Sequence, residues 1–233
     1  MILNSSVQYF IAMPQTRQPH IPAKPGPGRP KDPEKRQAVL DAAKRLFPMF
    51  GFDGVSMEAI AAEAGVSKLT VYSHYGDKDT LFTATIRAKC EEMLPPTLFQ
   101  AAAKGPIRRQ LTSIARAFFA LITSPEAIGM QRVMSTLMDT ESRLPQMFWE
   151  AGPQRVHDGF ADFLRGRIAA GQLEIPDIDR ASSQFFCLLK GELHARLVCG
   201  CPGDFGDKEV AAHIQATVDL FLRAYAPTAD QRA

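Results

Sequence analysis

Cysteine is scarce in this chain. Four residues in 233 (Cys90, Cys187, Cys199 and Cys201), unevenly spaced, are too few for a disulfide framework. Long apolar runs are also missing, and none approaches the roughly 18 residues that a membrane-spanning helix needs. No basic segment precedes an apolar core at the N-terminus, so the stretch from Val7 to Met13 makes a poor signal peptide. These absences predict a reduced, cytoplasmic protein with no membrane partner. Neither sign of charge dominates, with 27 basic and 25 acidic side chains and a net charge of +2. Period-two alternation is lacking over any useful length, which excludes a sheet as the organising element, and there are no internal repeats. Apolar residues still make up 45% of the chain, enough for a sizeable core.

The balanced total hides an uneven distribution. Residues 13–36 carry six basic side chains against two acidic ones, residues 37–85 have a net charge of −2, and the remainder is neutral. Positive charge gathered at one end points to a polyanionic partner near that end. Proline is equally concentrated, with seven of the 17 before residue 34. Together with Gly26 and Gly28 they keep residues from about 13 to 33 out of helix or paired strand, and residues 1–33 are read as a disordered basic arm. Met13 is an alternative start.

Helical periodicity begins after Pro33. Val39, Ala42, Ala43, Leu46, Phe47 and Phe50 recur at steps of three and four, and Gly51 ends the run. Ser56 is placed to cap a short helix, Met57 to Ala64, and Gly65 suits its left-handed exit. Ser67 caps a second short helix to about Tyr75, and Asp77 a third from Lys78 to about Met93, closed by Pro95 and Pro96. Three/four spacing continues through segments near 106–122, 125–140, 145–170, 177–199 and 207–226. The predicted class is all-α, an N-terminal three-helix head followed by a helical bundle.

Two helices of about eight residues joined by Gly65-Val66-Ser67 have helix-turn-helix spacing, with Ala61 small enough for close packing and Ile60, Val66 and Val71 to lock the pair. Such a second helix fits the major groove, about 12 Å wide, and brings its N-terminal residues to base edges. The ordered pattern from Gly51-Phe52 through Ser56-Met57-Glu58-Ala59-Ile60-Ala61-Ala62-Glu63-Ala64-Gly65-Val66-Ser67 to Lys68-Leu69-Thr70-Val71-Tyr72-Ser73-His74-Tyr75-Gly76-Asp77-Lys78, with Leu81-Phe82 beyond, closely resembles the TetR family of bacterial transcriptional regulators. Ala42-Ala43 and Leu46-Phe47 in the preceding helix match as well.

The resemblance implies a dimeric repressor with a DNA-binding domain at 34–94 (helix-turn-helix about 57–76) and an effector-binding, dimerising domain at 95–233. On matching positions, Ser67 caps the recognition helix and offers amides to a phosphate, while Lys68, Leu69, Thr70 and Ser73 face bases. Tyr72, His74 and Lys78 match positions that grip the phosphate backbone, so Lys78 is expected to account for about one released counterion. Leu69 stands where the family often has Gly or Pro, and Ser73 where it often has a larger residue. Tyr75, four residues after Val71, is expected in the core. His74 is open to a second reading as an ordinary surface histidine. Two readings also fit Arg29 in the arm: a solubilising linker, or a side chain that enters a narrow minor groove beside the site.

Residues 107–226 are rich in Phe and Met, which fill either a core or the walls of an apolar cavity between helices. Phe118, Met134, Met138 and Phe160 are the candidate lining of a site for a small, largely apolar effector. Leu189, Leu193 and Leu197 repeat at four-residue steps, and Val210, Ile214, Val218 and Phe221 form a second stripe. Since the family pairs its last two helices with those of a second copy, these are the candidate dimer contacts. Catalysis finds no constellation to carry it. Cys199-x-Cys201 near Glu192 and His194 lacks usual zinc spacing, and no nucleophile elbow occurs. No catalytic residue, metal or cofactor is therefore expected. The competing class is a helical enzyme or small-molecule carrier in which the helix-turn-helix is merely structural.

Overall fold

The computed structural model describes residues 32–100, 105–135, 143–201 and 205–227; Arg29 and Met138 lie outside them. The first helix, α1 (Pro33–Phe50), begins where the proline-rich segment ends, because the Asp32 carboxylate accepts from the amides of Glu34 and Lys35, at 3.0 and 3.4 Å. Proline at the first helical position loses no bond there. Then come α2 (Met57–Glu63), α3 (Lys68–Tyr75) and α4 (Lys78–Met93), each started by the predicted residue: Ser56 Oγ accepts from the Ala59 amide, Ser67 Oγ from that of Thr70, and the Asp77 carboxylate from that of Thr80. Each such cap contributes about 1 kcal/mol.

The rest comprises a single turn, α5 (Thr97–Gln100), and then α6 (Ile107–Thr123), α7 (Pro125–Ser135), α8 (Leu144–Ala151), α9 (Pro153–Ala169), α10 (Ile178–Val198) and α11 (Asp207–Tyr225). Two differences from the periodicity reading have local causes. The segment read as one helix over 145–170 is broken at Gly152-Pro153, since proline removes an amide donor and clashes with the preceding turn. Inside α10, Gly191 leaves helical geometry at φ 48°, ψ −157°, and His213 Nε2 sits 2.9 Å from the Leu189 carbonyl oxygen beside this kink. Among the described residues every element is helical, as the sequence predicts.

Two cores hold the helices together. The first joins α1–α4 through Val39, Phe47, Ile60, Val71, Tyr75, Leu81 and Phe82, and also takes in Met130 and Met134 from α7 and Leu144 from α8. The helix-turn-helix is thus packed together with helices that come after the predicted boundary near residue 94. Gly129 makes that seam tight: a Cβ there would lie 2.9 Å from the Pro48 carbonyl oxygen of α1. The second core lies among α6, α9, α10 and α11 and is built on rings. Phe160 and Phe185 stack at 4.7 Å, Phe118 and Phe186 meet at 4.4 Å, and Phe185 and Phe221 at 5.0 Å.

These cores correct several expected sites. Met134 fills the first core and Phe160 is fully enclosed in the second, and neither is among the residues that line the cavity described below. Leu189, Leu193, Ile214, Val218 and Phe221 are likewise consumed inside the chain's own second core, with Val210 packed against its edge. The four-residue stripe marks the inward faces of α10 and α11; Leu197, near the end of α10, is only partly covered.

Candidate nucleic-acid interface and effector cavity

The turn between α2 and α3 is closed by a Schellman motif: the Val66 amide donates to the Ala61 carbonyl at 3.0 Å, and the Gly65 amide to that of Ala62 at 3.2 Å. Gly65 takes φ +65°, which glycine reaches without strain. The turn sets α3 with Val71 and Tyr75 inward and its other face toward solvent. Tyr75 is locked from three sides. It is buried, its hydroxyl donates to the Arg36 carbonyl at 3.0 Å, and the Arg36 guanidinium lies 4.5 Å above its ring. Burial raises the Tyr75 pKa, so it stays a neutral donor. Arg36 Nη1 also donates to the His74 carbonyl at 3.2 Å, which ties the start of α1 to the end of α3. Sequence reading missed Arg36, whose only signal was a basic residue one turn into the first helix.

On the outward face, Leu69 is 79% and Tyr72 40% exposed. A large apolar side chain so far into water is costly, and at a groove-facing position it fits the methyl of thymine. Ser67 Oγ and Thr70 Oγ1 lie 2.9 Å apart, and Ser73 Oγ donates to the Thr70 carbonyl at 2.8 Å, so these short side chains are oriented but accessible. Lys68 forms an ion pair with Glu58 of α2, and its ammonium sits 5.7 Å from the Tyr72 ring centroid. The side-chain bond from Lys68 lowers the Glu58 pKa and raises that of Lys68, so both keep their charge across the physiological range. Ser67, Lys68, Leu69, Thr70, Tyr72 and Ser73 therefore share one helix and its exposed start, with His74 half-covered at the far end.

Lys78 departs from this group. Its ammonium donates to the carbonyls of Phe52 and Val55, at 2.9 and 3.0 Å, and lies 4.1 Å from the Phe52 ring centroid. The ammonium expected on the phosphate backbone is occupied here by these carbonyls. This side chain is turned onto the loop before α2 and pins it to the start of α4.

A cavity of about 430 Å³ lies farther along, bounded by residues of α1, α4, α6, α7, α9 and α10, with Phe148 from α8. Of the expected lining residues that are described, Phe118 alone is on its wall, joined by Ile122, Met130 and Phe148. Unlike the apolar site predicted, it also presents Lys44, Lys89, Lys190, His157 and His194. Cys90 lines it too, and burial pushes that thiol up to about 11. Among the described residues no group of three or more His, Cys, Asp or Glu could hold a metal ion, and no helix is long and apolar enough to cross a membrane.

A capped helix-turn-helix on an all-helical frame, with a cavity against the helix that leaves it, defines a regulator of the helix-turn-helix class. Residues 39–85 match the family described as bacterial regulatory proteins, tetR family, and residues 109–227 match the AefR-like transcriptional repressor C-terminal domain. The chain belongs to the TetR family. The solved structure of a TetR-family transcriptional regulator from Mesorhizobium loti is similar with a TM-score of 0.70 at 26% identity, over 84% of this chain and 98% of that one. That of the flavonoid-responsive regulator FrrA has a TM-score of 0.66 at 32% identity, over 85% of this chain and 100% of that one. The transcriptional repressor Rv1474c of Mycobacterium tuberculosis is 30% identical over 81 residues, which span 35% of this chain but only 37% of that relative.

Proposed function

We propose that this chain is a cytoplasmic, homodimeric DNA-binding repressor that a small effector releases from its operator. Residues 34–94 read DNA, and residues 95–233 hold the second copy and, together with parts of α1 and α4, the effector. Lys68, Leu69, Thr70 and Ser73 approach bases, Ser67 and Tyr72 hold phosphates, and His74 flanks them. The observation that carries this reading is the unspent outward face of α3, where Leu69 and Tyr72 stand in water although the inward face is fully packed. Arg29, in the basic arm, adds contact in the minor groove and some of the counterion release.

The second copy docks on the outward face of the last two helices. There Leu188 and Leu220 are 39% and 51% exposed, and Ala216 and Ala212, one and two turns before Leu220, allow close helix approach. The effector occupies the 430 Å³ cavity, whose walls include Ile86 and Thr85 of α4, the helix that follows the helix-turn-helix. Phe118, Ile122 and Phe148 suit an aromatic body. FrrA, similar over its whole length, is named as flavonoid-responsive, which favours the same size and aromatic character.

A gel shift with the DNA flanking the chain's own gene tests the assignment. The full chain is expected to retard that DNA in the presence of excess unrelated duplex, and Leu69→Ala with Tyr72→Ala to abolish the specific band. Equal retardation of unrelated DNA by both proteins would remove α3 as the reading element.

A further inference from the structure

The cavity wall holds four permanent cations (Lys44, Arg45, Lys89 and Lys190) and three carboxylates (Asp41, Glu92 and Glu126). Almost all of this charge is matched within the protein. Lys44 Nζ lies 2.8 Å from Glu92 and 3.7 Å from Asp41, Lys89 lies 3.4 Å from Glu126, and Arg45 pairs with Glu63 at 2.9 Å. Lys190 is different: among the described residues no carboxylate forms an ion pair with it. Beside it are two half-buried imidazoles, His194 one turn farther along α10 and His157 on α9. The His157 ring meets the edge of Phe186 at 5.0 Å, and its Nδ1 is 3.5 Å from Ser182 Oγ. Both imidazoles are held below their ordinary pKa, first by burial and next by the Lys190 ammonium.

We propose that the effector is an aromatic acid whose anionic group docks on Lys190 between His157 and His194 while its rings lie against Phe118 and Phe148. This rests on the cavity being the effector site. An anion fits for three physical reasons. It supplies the missing counter-charge to Lys190, and a charge-assisted hydrogen bond is roughly twice as strong as a neutral one. It turns the unfavourable cation–imidazole arrangement into a favourable one, because imidazole N–H groups donate to it. A cationic group finds no equivalent, since each wall carboxylate already faces a lysine.

Calorimetric titration of the full chain with 2-naphthoate and with its neutral isostere 2-naphthamide tests the proposal. Wild type is expected to bind the acid about tenfold more tightly than the amide, a difference of ~1.4 kcal/mol. Lys190→Gln is expected to erase that preference without weakening the amide, and Lys190→Arg to keep it. Lys190 is exposed, so neither substitution threatens folding. Phe148→Ala is expected to weaken both compounds and so place the rings. Equal binding of acid and amide to wild type, or a preference that survives in Lys190→Gln, would overturn the anionic group and leave the cavity reading standing. Binding of neither compound would overturn the cavity reading itself.

Discussion

Lys78 stands where a phosphate contact is expected, yet its ammonium is spent on the Phe52 and Val55 carbonyls and the Phe52 ring. Removing it takes a charged donor from both carbonyls, leaving Phe52 only the Val55 amide at 3.3 Å, and frees the loop before α2. Hydrogen bonds to a charged group contribute about 1.5–3 kcal/mol when enclosed, and less where water competes. Lys78→Ala is therefore expected to lower stability by about 2 kcal/mol, read as a lower urea midpoint at unchanged m-value, while the salt dependence of DNA binding keeps its slope. An unchanged midpoint with a slope reduced by about one would return Lys78 to the DNA. Lys68 is the contrasting case: its partner Glu58 is exposed, so a phosphate replaces one solvated carboxylate with another anion at little cost.

At the scale of elements, the close approach of α7 to α1 depends on Gly129. Alanine is the better helix former by about 1 kcal/mol. The atom its Cβ would meet is the Pro48 carbonyl oxygen at 2.9 Å, part of the backbone and unable to swing aside, so overpacking of about 1–3 kcal/mol wins. Gly129→Ala is expected to lower the thermal midpoint of the full chain; an unchanged or raised midpoint would show that the seam is loose. Caps and turns were legible in the sequence because they are local: Ser56, Ser67 and Asp77 each bond an amide three residues ahead. The stripes of α10 and α11 were only half legible. Spacing reveals that one face is buried, not what buries it, and Leu189 and Val218 turn out to meet their own chain. The kink at Gly191 was hidden because a single glycine within a helical pattern does not show that the helix breaks there. The cavity was least legible, since Lys44, His157 and Lys190 are far apart in sequence and only the packing of α1, α9 and α10 brings them to one wall.

For the whole molecule, the continuous first core is the feature that would link ligand to DNA under the proposed function. Met130 of α7 lies both in that core and on the cavity wall, and Ile86 of α4 does the same, so an occupant of the cavity presses on residues that also support α3 through Val71 and Leu81. Two DNA-reading heads in a dimer need a separation of about one helical turn, or a multiple of it, and a shift of α4 changes that separation. Linkage then requires that effector and DNA weaken each other by the same factor, because each acts only through its differential affinity for the two arrangements. The most direct test is calorimetry of 2-naphthoate against the free chain and against the chain saturated with the DNA that flanks its gene. The account predicts binding to the DNA complex weaker by the factor by which the same acid weakens DNA binding; equal affinity in the two titrations would contradict it.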